Sequence, residues 1–374
     1  MQTWILIAFV VILNCYEFKS QNANDTIKFK KTSYLSDNKL QSALDSIIEK
    51  TVSDFMLSPQ NSGLSIGIIK DSTTFFYNYG ETELDNKTLP TKNTLYEIGA
   101  ITKTFCGLLL ACAVSENKIK LEDDIRLYLP NKYANLELNK QFIQLKNLAN
   151  HTSGLPSLPD NIASQINYEP LNPYKNYNKQ LLFDFLKTVQ LNNEPGQICE
   201  YSNLGMALLG IILENIYEKT FEELVQEKIC ISNSMQTTLV NLTSAQQAIL
   251  ASGYNSNGQK TPHWGLGAFV AAGGLKSSSN DLINYLRYNI NESDSATRLA
   301  HQITFNYGST IGLGWQIITT KFNQQLIWHN GATYGFSSFC AFIKKQKVGV
   351  VILSNSANSV DYIGLSILKF FQTK

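Results

Sequence analysis

The sequence predicts an α+β protein: a five-stranded antiparallel sheet flanked by helices, with a mainly helical domain inserted into it. Three observations predict this. Two β-branched and aromatic runs lie close together near the start, at 64–69 and 73–79. Three more, at 325–329, 337–343 and 348–354, close the chain. The long stretch between them carries helical spacing and Pro- and Asn-rich loops. Pairing the first strands with the last puts residues 40–95 and 268–374 in a sheet domain and 96–267 in a helical domain. A cleft between the two is the usual place for a ligand.

The elements follow in order. Residues 4–13, WILIAFVVIL, are an unbroken apolar run. A bilayer span needs about 20 such residues, so the run fits the core of an export signal. Residues 1–20 are expected to be that signal, with cleavage near Ser20. The mature chain is then exported, periplasmic or extracellular, with no transmembrane segment. Cys15 offers a lesser alternative, a lipid anchor at the outer membrane, although Asn14 is larger than the residue such sites usually carry. Residues 21–39 are polar and read as a flexible lead-in.

Leu40, Leu44, Ile47 and Ile48 predict a helix over 39–55. Lys70-Asp71-Ser72 is the turn between the first two strands. Ile101, Phe105, Leu108, Leu109 and Cys112 fall at i, i+4, i+7, i+8 and i+11, which predicts an amphipathic helix over 101–115. Leu208, Ile211, Ile212 and Ile216 predict another over 204–217. A polar stretch at 251–267 precedes a short helix at 281–288, and a last helix covers 360–371.

Composition narrows the function. Lysine plus arginine number 31 against 30 acidic residues, a net charge of +1, which argues against a nucleic-acid binder. Beyond the signal, Cys106, Cys112, Cys199, Cys230 and Cys340 are odd in number and lack CxxC spacing, so they read as buried thiols. His151, His263, His301 and His329 are scattered, so neither a metal site nor a cofactor is expected.

Three local patterns carry the chemistry. Tyr96-Glu97-Ile98-Gly99-Ala100-Ile101-Thr102-Lys103 enters one predicted helix. Glu200-Tyr201-Ser202-Asn203-Leu204-Gly205 enters another. Trp328-His329-Asn330-Gly331-Ala332-Thr333 ends a predicted strand. Their order and spacing resemble the serine β-lactamase and penicillin-binding-protein superfamily, most closely its class C β-lactamase, D-alanyl-D-alanine carboxypeptidase and esterase branch. That branch reads S-x-x-K, Y-x-N and K-T-G or H-x-G. Four further segments are similar to family segments and stand in family order: His151-Thr152-Ser153-Gly154-Leu155-Pro156, Glu194-Pro195-Gly196, Ala272-Gly273-Gly274-Leu275 and Gly312-Leu313-Gly314-Trp315.

The resemblance implies a β-lactamase/transpeptidase-like fold and assigns roles. Lys103 matches the general base and Tyr201 its acid/base partner. Asn203 matches the amide that orients substrate, and His329 and Gly331 the strand lining the cleft. The backbone N–H groups of Ala100 and Ala332 match the oxyanion hole. The departure is Ala100, which stands where the family has its nucleophilic serine. The chemistry needs a hydroxyl one helical turn before the lysine, so that the amine can take its proton. A methyl group cannot attack a carbonyl.

Other residues do not replace it on sequence grounds. Ser36, Ser115 and Ser366 each stand three residues before a lysine, but none has the Gly99-like entry or the family order. Thr102 is the nearest hydroxyl, yet it points about 200° around the helix from position 100. His329 replaces the family's lysine and is mostly neutral at pH 7, which weakens a clamp on a substrate carboxylate. Three readings follow. The first is a nucleophile-deficient protein, inactive or with residual activity, that keeps a cleft for a D-Ala-type peptide, ester or β-lactam-like ligand. The second is an active acyl-enzyme hydrolase whose serine was changed at one codon. The third is a non-catalytic interaction protein.

Overall fold

A computed structural model describes residues 31–372. The expected export signal and the Cys15 anchor lie outside the described residues. Eight strands form the main sheet: β1 (Gly63–Lys70), β2 (Thr73–Gly80), β3 (Phe305–Tyr307), β4 (Ser309–Ile311), β5 (Gln316–Thr319), β6 (Gln325–Ala332), β7 (Ser337–Ile343) and β8 (Val348–Ser354). Their spatial order is β2-β1-β8-β7-β6-β5-β4-β3, antiparallel throughout. The five strands expected from sequence are contiguous, and the first pairs with the last, Leu64 opposite Ser354. Three short strands, unforeseen, extend the β6 edge. They span three or four residues each and are mostly half-buried or exposed, so they carry little apolar alternation.

Both faces of the central strands are covered, which explains their near-continuous apolar sequence. Alternation splits β8: Val350 and Ile352 join one core with Ile48, Val52, Ile363 and Ile367, while Val351 and Leu353 join the other with Leu282 and Leu286. The helices behind these residues are α1 (Ala43–Met56) and α5 (Asp361–Phe371) on the first face and α4 (Ser279–Asn291) on the second. The first helix starts at Ala43, later than expected, because Ser42 and Asp45 make a capping box. Leu40 lies outside it, exposed and at a φ of +55°. The lead-in from Lys31 onward is anchored and not free: Asp37 binds Asn78 through backbone and side chain, and Tyr34 bonds Glu49.

Two helices fill the second core, α2 (Thr102–Ser115) and α3 (Asn203–Tyr217). The amphipathic reading of 101–115 needs correction. Leu110, Ala111 and Ala113 are as fully buried as Phe105 and Leu109. An all-round apolar helix belongs inside a core, not on its surface. The same core joins α2 and α3 to sheet residues such as Ile69, Ile327 and Phe342, so the apolar interior runs from helical block to sheet without a break. Cys106, Cys112, Cys230 and Cys340 are buried free thiols and Cys199 is half-buried. Among the described residues no helix is long and apolar enough to cross a membrane.

Candidate active site

The first and third sequence patterns meet backbone to backbone. Gly99–Ile101 is a 3-10 turn leading into α2, and it lies against the end of β6. Gly99 has a φ of +48°, and a Cβ there would sit 2.7 Å from Ala332 N. A Cβ on Gly331 would sit 2.1 Å from Ile98 O and 2.8 Å from Ala100 N. Only glycine at both positions lets the two backbones close. Ser338 Oγ ties the junction by donating to Ile98 O at 2.8 Å. Ala100 is half-buried and Ala332 exposed, so the junction lies at the surface.

Lys103 follows Ala100 by one turn and is fully buried. Its Nζ donates to Asn203 Oδ1 at 2.8 Å and to Ala272 O at 2.6 Å. It also lies 4.9 Å from the centroid of the Tyr201 ring. These neighbours are neutral, so burial dominates and lowers the amine to about 7, with Cys106 pulling weakly the other way. The second pattern is thus joined to the first through its amide and its aromatic face. Tyr201 is half-buried, and burial pushes its phenol above the usual range.

Capping places Tyr201 and Asn203. Ser202 caps α3, accepting from Gly205 N at 2.9 Å and donating to Pro156 O at 2.7 Å. His151 buttresses the turn: its Nδ1 accepts from Ser202 N at 3.3 Å, and its ring lies 4.5 Å from that of Tyr201. Its backbone takes a φ of +61°. Sequence reasoning had not placed His151 in the site. Its one signal was its place in the His151–Pro156 segment, because a lone histidine usually means packing.

The remaining segments also find physical roles. Ala272 supplies the carbonyl that holds Lys103. Gly314, at a φ of +73°, brings its backbone against Lys103, where a Cβ would fall 2.3 Å from Lys103 O. Thr102 is buried and its hydroxyl accepts from Leu275 N at 3.2 Å, so it is committed away from the nucleophile position. Ser36 bridges to Tyr79 at the far edge of the sheet, Ser115 ends α2, and Ser366 is exposed on α5.

His329 is buried, on the face of β6 that also presents Gly331 to the 98–100 turn. Its Nδ1 lies 2.5 Å from Asn330 O. Burial, and then the nearby Lys103, lower its imidazole to about 4. The same two causes, with His329 third, lower His151 well below its ordinary value. Among the described residues, no group of three or more His, Cys, Asp or Glu side chains could hold a metal ion.

The whole chain can be compared with known proteins for family and fold. The Beta-lactamase family model matches residues 48–369. Protein flp of Staphylococcus aureus strain N315 is 28% identical over 331 residues, 85% of this chain, which spans only 64% of that relative. A beta-lactamase of Pseudomonas fluorescens is 27% identical, covering 83% of this chain and 92% of the relative. The crystal structure of a beta-lactamase/D-alanine carboxypeptidase from Pseudomonas syringae superposes with a TM-score of 0.74 at 25% identity, covering 88% of this chain and 99% of that one. A class C beta-lactamase structure gives a TM-score of 0.76 at 22% identity, covering 87% and 98%. The fold is β-lactamase/transpeptidase-like, and with a family match that runs from α1 to α5 the chain belongs to the beta-lactamase family.

Proposed function

We propose that this chain is an exported family member that has lost covalent catalysis and retains a ligand cleft. The ligand class is a D-Ala-type peptide, an ester or a β-lactam-like molecule. One observation carries the reading: the methyl group of Ala100 stands one turn before a buried Lys103 that is still bonded to Asn203 and packed on Tyr201. These contacts support Lys103 as the matching base, and the hydroxyl such a base would activate is missing at position 100. In hydrolases of this logic, losing the nucleophile costs on the order of 10⁶ in kcat, while binding and backbone donors retain about 10³ over water. Activity is therefore absent or residual. A side-chain change at position 100 leaves the Ala100 and Ala332 N–H groups available to hold an oxyanion. The names of the relatives, beta-lactamase and D-alanine carboxypeptidase, support the ligand class. The apolar run at 4–13 supports export.

Covalent labelling tests the reading. A fluorescent penicillin and a fluorophosphonate are incubated with the protein and with its Ala100→Ser variant. Labelling only of the variant is expected. Labelling of the unaltered chain would defeat the loss of covalent catalysis. Failure of both forms to label or bind would point to a role on other surfaces.

A further inference from the structure

Pro195 and Gly196, from one of the four segments in family order, lie on the wall of a separate cavity of about 280 Å³. Across from them stand residues of the 141–152 stretch and, at the start of β3, Thr304 and Phe305. None of Ala100, Lys103, Tyr201, Asn203 or His329 lines it. The cavity is thus distinct from the cleft proposed above, although Thr152 on its wall directly follows His151.

Its lining has an uncommon chemistry. Gln141, Gln144, Asn147 and Asn150 bring four carboxamides, and Phe142 and Phe305 bring two aromatic rings. Among the described residues, the one charged side chain on the wall is Lys146, whose Nζ already donates to Glu122 at 3.0 Å. A charged ligand would therefore meet only a lysine that has its counter-ion. A mostly apolar ligand would shield the amides from water without pairing them, which is costly.

The wall is fixed by its own hydrogen bonds. Asn147 Oδ1 accepts from Gln144 N at 2.8 Å, and its Nδ2 donates to Thr152 Oγ1 at 2.9 Å. Thr152 Oγ1 donates to Asn150 Oδ1 at 2.6 Å, and Asn150 Nδ2 donates to Thr304 Oγ1 at 3.1 Å. This run of bonds sets which end of each asparagine amide is oxygen and which is nitrogen. Asn147, Asn150 and Thr152 are buried, so the arrangement is held in place. A carboxamide has two N–H groups and two oxygen lone pairs, and Asn147 uses one of each within the wall. Gly196 leaves its nitrogen uncovered: at a φ of +90°, a Cβ there would stand 3.7 Å from Asn147 Nδ2 with nothing nearer.

We propose that this cavity binds a neutral pyranose sugar. Each sugar hydroxyl donates and accepts, as the carboxamides do. The faces of a pyranose also carry C–H groups, which match the apolar surface of the two phenylalanine rings. The volume lies near the lower end of small-molecule sites, about 300 Å³, so it suits one sugar ring and not a longer glycan.

The test is saturation-transfer NMR on the full chain. The probes are methyl β-D-glucopyranoside, methyl N-acetyl-β-D-glucosaminide and, as an open-chain polyol, sorbitol. At least one glycoside is expected to bind, with a Kd of about 1 mM. Sorbitol should bind about tenfold more weakly or worse, because its flexible chain must be ordered and has no fixed C–H face. Phe142 is exposed, so Phe142→Ala should keep the fold and weaken the glycoside about tenfold by removing one ring. Gln141 is also exposed, and Gln141→Ala should weaken it about threefold. Tyr362→Ala removes an exposed ring on α5 and should leave binding unchanged. Binding of neither glycoside, or binding that both cavity variants leave unchanged, overturns the proposal. Sorbitol binding as tightly as the glycosides overturns the recognition of a sugar ring. None of these results bears on the reading of Ala100, because the cavity and the junction share no residue.

Discussion

Lys103 carries its amine into a place where every neighbour is neutral: an amide oxygen, a carbonyl and a ring face. No ion pair offsets the loss of hydration, so burial decides its protonation and brings it to about 7. A base with that value suits a hydroxyl one turn away, since catalytic bases work best near the operating pH. On this reading, fluorophosphonate labelling of Ala100→Ser requires the unprotonated amine. Its rate is expected to rise with pH through about 7 and to level off above it. Adding Lys103→Arg to the same variant keeps the charge but removes a base that can lose its proton. It should slow labelling by about 10² to 10⁴. A rate that climbs only toward pH 10, as for a solvated lysine, would show that burial does not lower the Lys103 amine, and an unchanged rate in the Lys103→Arg double variant would show that Lys103 is not the base.

At the scale of elements, the glycines at the turn–strand junction make the closest demands. A Cβ on Gly331 meets two backbone atoms and Ser338 Oγ within 2.8 Å, and neither backbone can step aside alone. Gly308 is a natural control: its φ is +73°, yet nothing lies within 4 Å of its Cβ position. Gly331→Ala is expected to lose about 1–3 kcal/mol or more, and to weaken labelling when combined with Ala100→Ser. Gly308→Ala should lose only about 1 kcal/mol, the strain of a left-handed alanine. Urea melts of the two variants compare them, and equal losses would mean that the junction can open. The same elements show what sequence made legible. Long apolar strands announce themselves by composition, and β1, β2, β6, β7 and β8 lie where the pattern put them. The edge strands β3 to β5 are too short and too polar for that, and form because β6 offers them a hydrogen-bonding edge. The three motifs were visible as spacing. The Ala272 carbonyl that holds Lys103 and the His151 ring that braces Tyr201 were not, because a carbonyl has no sequence identity and a lone histidine no distinctive neighbour.

Across the whole molecule, the candidate site gives stability an acid-side dependence. His151, His329 and Lys103 are all bases whose folded forms hold their protons less tightly than the unfolded chain does. The folded state therefore binds fewer protons wherever pH lies between the two values, and stability rises with pH across that interval. For His329 the interval runs from about 4 up to 6.5. Its contribution is fully present above the unfolded value and lost as pH falls to the folded one, and each unit of difference is worth about 1.4 kcal/mol. For Lys103 the interval runs from about 7 up to 10.5, so burial of its amine weighs against folding at neutral pH and less so in base. Other groups act in the acid interval too. Asp361, half-buried and bonded to Asn330, has its carboxyl raised and opposes the trend, while Asp45 and Asp123, lowered from 3.8 by their hydrogen bonds, add the same sign of dependence mainly below that interval. A difference between two chains that share those groups isolates the histidine. Urea melts of the unaltered protein and His329→Gln, taken from about pH 4 to 6.5, should show the unaltered chain losing more stability on acidification. The gap between the two should stay constant above about pH 7, where neither side chain titrates. Parallel curves throughout would mean that His329 exchanges its proton as freely in the fold as outside it, and that its burial does not lower the imidazole.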